Sequence, residues 1–417
     1  MQENENMRIL SITAQKPSST GSGVYLTEVV KALAAEGHQQ AVVAGITHED
    51  EPVFPDGVGF YPVYYETDEL PFPVAGMSDE MPYRSTRYCD FTEEMSAQFK
   101  DAFLTVIRRA VDDLDPELIL CHHLYFLTAL VREEFPDRCV CGFCHNTDLR
   151  QMEKNPVNRE WIRPRIPLLD KIFVPQKPQA DKTVRIYGAD PEKIVTVGMG
   201  FNDQIFRIDP SARAEKLRRE GDQGRRRLLV FAGKIAEKKG VMSLIRALDQ
   251  MDIPPEKLQV VLAGGAGNKE EYRQITDMAE ECQYELKFPG RMAQEDLAEL
   301  YNRADVFVLP SFFDGIPLVV IEALACGDRV VVSSLPGIDA WLKKNAPGAD
   351  VRIVKLPEMK NADEPDPAGL PGFEEKLARA LEESLLSPLS KPADVSRISW
   401  RSLVNTVIGS VSDRRTK

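Results

Sequence analysis

The 417-residue sequence contains no run approaching the ~20 consecutive apolar residues that a membrane-spanning helix needs. Its first residues, MQENENMRILSIT, also lack the basic stretch followed by an apolar stretch that marks a secretory signal peptide. Both absences favour a protein that has no transmembrane segment and stays in the cytoplasm.

Positive charge is also scarce, because 52 Lys and Arg residues face 65 Asp and Glu residues and the formal net charge is -13. A surplus of negative charge disfavours nucleic acids and anionic membranes as partners. A local cluster of Lys or Arg could still bind a small anionic substrate.

Cysteine is sparse and odd in number, with seven residues, which predicts reduced thiols in a chain without an export signal. Cys141, Cys144 and His145 spell the C-x-x-C-H pattern of covalent haem attachment. Haem attachment normally needs an oxidising compartment, and a zinc site would have to draw on the distant residues 121–123. We therefore interpret the cysteines of RCVCGFC as buried residues of a strand, with zinc and haem as alternatives.

Short apolar strands alternate with helical segments along most of the chain, as in MRILSIT followed by VYLTEVVKALAAEG. Continuous apolar strands separated by helices are typical of a parallel sheet covered on both faces. The length exceeds what one hydrophobic core usually serves, so we predict two doubly wound α/β domains. We place them at residues 1–205 and 206–395, followed by a C-terminal segment at 396–417.

Ligands of doubly wound sheets bind at the carboxyl ends of the strands, and two glycine-containing turns fall there. In PSSTGSGV, Gly21 and Gly23 let a ligand approach the backbone at a helix N-terminus, although the G-x-G-x-x-G dinucleotide pattern is absent. In AGKIAEKKG, the cations of Lys234, Lys238 and Lys239 could neutralise a diphosphate. An ordinary strand-to-helix turn is the alternative for both segments.

Two further strand ends contain residues that could bind a ligand. FPGRM has a glycine suited to holding a flat base by backbone contacts. In PSFFDGIPLVVIEALACG, Asp314 lies in a bend and Glu322 lies within an apolar helix, where a carboxylate is costly unless it has a partner. Sugar hydroxyls or a neighbouring arginine could be that partner. The free N–H groups that could bind phosphate are those around Gly315, Ile316 and Leu318.

Together these segments resemble the retaining GT-B glycosyltransferases of family 4 over nearly the whole chain. FAGKIAEKKGVMSLIRAL is similar to the family's G-R-x(5)-K-G-x(3)-L segment, and LYNRADVFVLPSFFDGIPLVVIEALACG to the segment with its E-x7-E motif. TGSGVYLTEVVKALAAEGH resembles its N-terminal glycine loop and helix, and CHNTDL its H-G-T-D-type loop. RISWRSLVNTVIGSV resembles the C-terminal helix that packs back on the first domain. The resemblance implies two facing Rossmann-like domains with a cleft between them.

The resemblance also implies a nucleotide-sugar donor, with a UDP-sugar favoured, held mostly by the second domain. Lys234 and Lys239 would bind the diphosphate, and Arg291 would line the base. Glu322 would accept hydrogen bonds from the ribose, and Asp314 would hold hydroxyls of the sugar.

From the first domain, the resemblance implies that Gly21 and Gly23 approach the phosphates and that His145 touches the transferred sugar or the acceptor. The residues expected to take part in catalysis are His145, Asp314 and Lys239. No metal or other cofactor is implied.

Three positions depart from the family pattern. Asp314 is one methylene shorter than the usual Glu, Lys234 replaces an Arg, and Asn202 replaces an acid. Each substitution keeps the side chain polar, so we expect donor binding to survive while the identity of the sugar stays open.

The acceptor is expected to contact the first domain. Residues 47–95, rich in Pro, aromatic and acidic residues, break the strand–helix pattern, and segments of this kind are often functional loops. Tyr83, Arg84 and Arg87 in it, with Asp148 of HNTDL, could meet a small polar or anionic acceptor.

The sequence therefore predicts a retaining glycosyltransferase with a soluble acceptor. The alternatives are a GT-B nucleotide-sugar epimerase and a nucleotide-sugar-binding module without activity. A homo-oligomer is left open.

Overall fold

A computed structural model of the chain describes residues 6–78, 81–220, 222, 224–314, 317–361 and 364–412. The chain divides into two compact units. Unit 1 comprises the residues up to Met199 together with those from Trp400 onward, and unit 2 is Gly200–Ser399. The predicted divisions, after residues 205 and 395, thus both lie inside unit 2, because Phe201 and Ser399 already pair with each other there.

The strands alternate with helices in both units, as the sequence predicts. The strands are β1 (Arg8–Thr13), β2 (Gln39–Ile46), β3 (Gly59–Tyr64), β4 (Ala75–Gly76), β5 (Thr86–Arg87), β6 (Leu118–His122), β7 (Val140–Phe143), β8 (Ile172–Val174), β9 (Ile194–Thr196), β10 (Arg227–Ala232), β11 (Leu258–Ala263), β12 (Leu286–Gly290), β13 (Val306–Leu309), β14 (Arg329–Ser333) and β15 (Val351–Val354). The helices are α1 (Gly21–Ala35), α2 (Glu93–Leu114), α3 (Phe126–Glu134), α4 (Thr147–Lys154), α5 (Arg159–Ile162), α6 (Lys177–Tyr187), α7 (Pro210–Arg218), α8 (Val241–Leu248), α9 (Lys269–Glu281), α10 (Gln294–Arg303), α11 (Leu318–Ala325), α12 (Ile338–Asn345), α13 (Leu370–Leu386) and α14 (Trp400–Ser412).

The main sheet of unit 1 is parallel, with the strand order β3-β2-β1-β6-β7-β8-β9. Its central strands are almost completely buried, since residues 118–122 and 140–143 are buried throughout. Helices cover both faces, so these strands have no solvent-facing side and read as continuous apolar runs. The order reverses between β1 and β6, which is the switch point where doubly wound sheets bind ligands.

The main sheet of unit 2 is also parallel, in the order β12-β11-β10-β13-β14-β15. Counted from its own first strand, this is the 3-2-1-4-5-6 order of a Rossmann fold, with its switch point between β10 and β13. The predicted class, two Rossmann-like doubly wound domains, is therefore confirmed.

Helix α14 belongs to unit 1 although it ends the chain. Trp400, Leu403 and Val407 on its buried face share one apolar cluster with Ile9 of β1 and Tyr25 of α1. The rings of Trp400 and Tyr25 meet edge to face with their centroids 4.9 Å apart.

Residues 47–95 are more ordered than the sequence suggests, because they contain β3, β4 and β5. Their aromatic residues are structural. Tyr65 and Tyr88 are buried in the same apolar cluster as Phe99 and Phe103 of α2. The aromatic content that suggested a functional loop is thus used largely to cover one face of the sheet.

Gly240 ends the loop after β10 in the left-handed region, with φ +72°, immediately before α8. A Cβ atom on Gly240 would lie 2.0 Å from the carbonyl oxygen of Pro310, in the loop after β13. Gly337 occupies the same position before α12, with φ +81°, but a Cβ there would meet nothing within 4 Å. Gly240 is therefore required by the close approach of two loops as well as by its backbone conformation.

We expect Gly240→Ala to lower the free energy of unfolding by at least about 2 kcal/mol more than Gly337→Ala. Both substitutions impose the strain of a left-handed residue, and only the first one adds the overlap with Pro310. Denaturant unfolding of the two variants measures the difference, and equal losses would contradict the packing argument.

Candidate functional site

The switch point of unit 2 is formed by the loops that follow β10 and β13. The Phe312 N–H donates a hydrogen bond to the carbonyl oxygen of Lys238 at 3.0 Å, which ties the two loops together. As a result Lys239 Nζ lies 2.6 Å from Asp314 Oδ2, with the two side chains 26% and 24% exposed. Two predicted catalytic residues thus form a partly exposed ion pair at the carboxyl ends of the central strands.

Glu322 lies in α11, directly after this loop, and is 9% exposed. Among the described residues, none donates a hydrogen bond to the carboxylate of Glu322 and none forms an ion pair with it. Burial raises the pKa of Glu322 to about 7. The neighbouring arginine that the sequence left open as a partner of Glu322 is therefore not there in the described part of the chain.

A cavity of about 500 Å³ adjoins the same strand ends. Lys234 and Arg291, both predicted to bind the donor, line it from the loops after β10 and β12. The other residues that line it are Ala232, Gly233, Ala263, Gly264, Gly265, Ala266, Met292, Leu297 and Val319.

The glycine-rich turn after β11 was not among the predicted site segments. A Cβ on Gly265 would lie 2.6 Å from Arg291 Nε, and a Cβ on Gly267 would lie 1.9 Å from Lys234 Cε. These glycines make room for the two cationic side chains. The available signal was the run GGAG placed directly after an apolar strand.

Of the three residues predicted to bind phosphate at the start of α11, the structure describes only one. Leu318 is the first residue of this helix and is half-buried. Gly315 and Ile316 lie outside the described residues.

In unit 1, the loop after β1 leads into α1, whose first turn is capped by the side chain of Thr20 accepting a hydrogen bond from the Gly23 N–H. A Cβ on Gly23 would lie 2.6 Å from the carbonyl oxygen of Lys16, so this loop itself requires a glycine there. A Cβ on Gly21 would meet nothing within 4 Å, and Gly21 lines a cavity of about 330 Å³. Of the two predicted glycines, only Gly21 lines that cavity.

His145 lines the same cavity as Gly21, beside Ser22 and Tyr25. Its ring nitrogen Nε2 lies 3.1 Å from Nδ1 of His122, at the end of the neighbouring strand β6. Burial, with the adjacent rings of His122 and His123, holds the pKa of His145 well below its usual value. His145 is therefore a neutral imidazole at the cavity wall.

Asp148 is completely buried. Its carboxylate accepts hydrogen bonds from the backbone N–H groups of Leu124 at 2.7 Å, His145 at 3.2 Å and Leu149 at 2.9 Å. These bonds fix the loop that carries His145 against the loop that follows β6. The geometry gives Asp148 a positioning role in place of the predicted contact with an acceptor.

The other residues predicted to contact an acceptor do not line the cavity. Arg84 lies 3.3 Å from Glu66 and Arg87 lies 2.8 Å from Asp90, so each guanidinium has a carboxylate partner on the surface. Tyr83 is half-buried, with Lys16 Nζ 5.2 Å from the centre of its ring. Three other residues of the 47–95 segment, Met77, Ser78 and Met81, do line the cavity.

The zinc and haem alternatives find no support in the described ranges. They contain no group of three or more His, Cys, Asp or Glu residues arranged to hold a metal ion. Cys141 is a buried residue of β7, and Cys144 is buried beside Asp148. None of the described helices is long and apolar enough to cross a bilayer.

Two family models match the chain. The model of Glycosyltransferase Family 4 matches residues 19–204, in unit 1 and the start of unit 2. The model of Glycosyl transferases group 1 matches residues 212–352, in unit 2. The two matches together cover most of both sheets.

Curated relatives include D-inositol 3-phosphate glycosyltransferases. The protein of Thermomonospora curvata is 27% identical over 79% of this chain and 78% of its own length. The protein of Xylanimonas cellulosilytica is 32% identical, but that similarity spans only 40% of this chain and 42% of the relative.

Among solved structures, sucrose-phosphate synthase from Thermosynechococcus elongatus matches with a TM-score of 0.59 at 18% identity, covering 99% of each chain. Anabaena HepE in complex with UDP and glucose matches with a TM-score of 0.55 at 14% identity, covering 98% of this chain and all of its own. At these identities the likeness shows the fold alone. With the two family models it establishes that the chain belongs to the GT-B glycosyltransferases of family 4.

Proposed function

We propose that this glycosyltransferase moves a sugar, with retention of configuration, from a UDP-sugar to a small soluble acceptor in the cytoplasm. The observation that carries the donor assignment is the buried carboxylate of Glu322, which has no partner in the described part of the chain. A carboxylate in an apolar helix destabilises the folded protein unless something donates hydrogen bonds to it. The two hydroxyls of a ribose are donors of the right number and spacing for one carboxylate.

The ion pair of Lys239 and Asp314 supports the same assignment. In retaining transfer, negative charge builds on the departing diphosphate, so a preorganised cation stabilises the transition state. Lys239 supplies that cation at the switch point, and Asp314 is placed to hold hydroxyls of the sugar. Before the donor binds, each residue neutralises the other, which limits the cost of holding both charges in a partly buried site.

Lys234 and Arg291 extend the donor site towards the diphosphate and the base. Both side chains lie against the glycine-rich turn after β11. With two lysines available to neutralise the diphosphate, we propose that no metal ion is needed. UDP is favoured among the nucleotides because the structurally similar HepE is a complex with UDP.

For the acceptor, we propose a small uncharged polyol that binds in the cavity of unit 1. Its described lining combines polar groups, such as those of Gln15, Ser22 and His145, with the thioether side chains of Met77 and Met81. None of the described lining residues is a Lys or Arg, so their side chains offer no countercharge for a phosphate. This acceptor differs in charge from the D-inositol 3-phosphate in the names of the curated relatives.

Calorimetric titration with UDP, GDP, ADP and dTDP tests the donor site. We expect UDP to bind most tightly and Glu322→Ala to weaken its binding by about tenfold to a hundredfold, since hydrogen bonds to a charged group contribute about 1.5–3 kcal/mol. Glu374→Gln is the matched control, because Glu374 is a buried carboxylate of unit 2 that already accepts hydrogen bonds from Ser243 and Arg246. Unchanged UDP affinity in Glu322→Ala would remove Glu322 from the ribose site. UDP binding without any transfer would favour the inactive binding module.

The pH dependence of stability provides a second test of Glu322. Its folded-state pKa of about 7 lies above the ordinary value of 4.5, so the folded protein holds this proton more tightly than the unfolded chain. Its contribution to the free energy of unfolding therefore falls as pH rises from about 4.5 to 7 and is constant above.

We expect Glu322→Gln, which is neutral at every pH, to be more stable than the parent at pH 8, on the order of 3 kcal/mol. The difference should vanish near pH 4, where the parent carboxyl is protonated in both states. Unfolding curves of the two proteins at both pH values measure it. A difference that did not change with pH would show that the carboxyl is not desolvated as the structure indicates.

An acceptor screen checks the second part of the proposal. We expect transfer from UDP-sugars to myo-inositol and related neutral polyols to exceed transfer to their monophosphates at equal concentration, because the described lining residues include no Lys or Arg to offset desolvation of the phosphate. Product formation is followed by mass spectrometry. A preference for the phosphorylated acceptor would overturn the uncharged assignment and leave the donor assignment untouched.

A further inference from the structure

The contact between His145 and His122 has a consequence for the chemistry of the cavity. Strands β6 and β7 are parallel neighbours, and His122 lies opposite Phe143 in their register. The chain continues past Phe143 and brings His145 beside His122, with their ring planes inclined by only 15°. The 3.1 Å separation of His122 Nδ1 and His145 Nε2 is therefore a hydrogen bond between two nearly coplanar rings.

This bond uses one of the two ring nitrogens of His145. The ring of His145 lines the cavity. Since Nε2 is directed at His122, Nδ1 is the ring nitrogen that remains for a ligand. The strand register thus selects which atom of His145 meets the substrate.

The protonation of the pair follows from burial. Burial lowers the pKa of His122 to about 3 and holds the pKa of His145 well below its usual value. At neutral pH each ring therefore carries one proton, and a single proton lies between the two facing nitrogens. A neutral imidazole has one donor and one acceptor nitrogen, so the direction of this bond fixes both tautomers.

The remaining nitrogen of His122 favours one direction. Its Nε2 atom is buried and has no hydrogen-bond partner within the described ranges. If His145 donated the shared proton, His122 would have to carry its own proton on Nε2, which would leave a buried donor without an acceptor. Buried N–H groups without an acceptor are rare in folded proteins, and under-satisfied acceptors are less so. The favoured arrangement has the proton on His122 Nδ1, donated to His145 Nε2.

We propose that His122 is a positioning residue that holds His145 as the Nδ1–H tautomer, so that His145 meets its ligand as a hydrogen-bond donor and not as a proton acceptor. The identity of that ligand, the transferred sugar or the acceptor, rests on the proposed function. The tautomer itself does not rest on it.

The tautomer can be read directly in the full-length protein. With ¹⁵N-labelled histidine, long-range proton–nitrogen correlation spectra distinguish a protonated Nδ1 from a protonated Nε2. We expect His145 to be protonated on Nδ1 in the parent protein and in His122→Asn, whose side-chain amide can replace the Nδ1–H donor. In His122→Phe, which keeps a ring but has no donor, we expect the Nε2–H form of His145 to become populated.

His123→Asn is the matched control. The ring of His123 also lies against His145, with centroids 4.8 Å apart, but no hydrogen bond joins them. Asn tolerates the left-handed backbone of this position, where φ is +72°. We expect the Nδ1–H form of His145 to persist in this variant. Loss of the tautomer there as well would show that packing, and not the hydrogen bond, orients His145.

Kinetics separate a positioning role from a purely structural one. We expect His122→Phe to lower kcat by about tenfold, the equivalent of one hydrogen bond, with UDP affinity unchanged and with activity restored in His122→Asn. Finding His145 protonated on Nε2 in the parent protein would overturn the inference even if UDP binds and sugar is transferred. Absence of nucleotide binding, with His145 protonated on Nδ1, would instead overturn the proposed function and leave the tautomer in place.

Discussion

The parallel pairing of β10 with β13 is the constraint on which the proposed donor site depends. Leu229 lies opposite Val306 and Val230 lies opposite Phe307, so the two strands end at the same edge of the sheet. The loops that follow β10 and β13 therefore start close to each other. The bond from the Phe312 N–H to the Lys238 carbonyl oxygen, and the fit of Gly240 against Pro310, are consequences of that register. The ion pair between Lys239 and Asp314, 75 residues apart in the chain, is the next consequence.

Sequence reasoning works well where local pattern and chemistry agree. The apolar runs and helical spacing predict both sheets, because a strand buried on two faces leaves no room for polar residues. Glu322 could be singled out because a carboxylate among apolar neighbours violates the usual pattern. The sequence could not show whether an arginine lies near Glu322. Such a partner would come from a different strand or loop, and no single segment determines how the strands pair.

The same limit explains why several residues predicted to contact the acceptor do not line the cavity of unit 1. Arg84, Arg87 and Asp148 are charged residues in segments expected to bind the acceptor, and charge alone suggested contact with a ligand. In the structure each has a partner within the protein, either a surface carboxylate or a set of backbone N–H groups. Conversely, Met77 and Met81 line the cavity of unit 1 and carry no charge that would draw attention to them. Gly265 and Gly267 were overlooked because the side chains that they lie against, those of Arg291 and Lys234, are distant in sequence.

Both switch points hold buried polar groups whose hydrogen bonding is incomplete. In unit 2 it is the carboxylate of Glu322, and in unit 1 it is the histidine pair, where His122 Nε2 has no partner in the described part of the chain. Such groups lower the stability of the unliganded protein, since their desolvation is not offset by the protein itself. The two cases differ in what can offset the cost. Under the proposed function, the ribose of the donor supplies hydrogen bonds to Glu322, which is 9% exposed. His122 Nε2 is buried, so a ligand does not offset its desolvation. We infer that this loss of stability is tolerated because the bond from His122 orients His145. That asymmetry is the physical reason to assign Glu322 to binding and His122 to positioning.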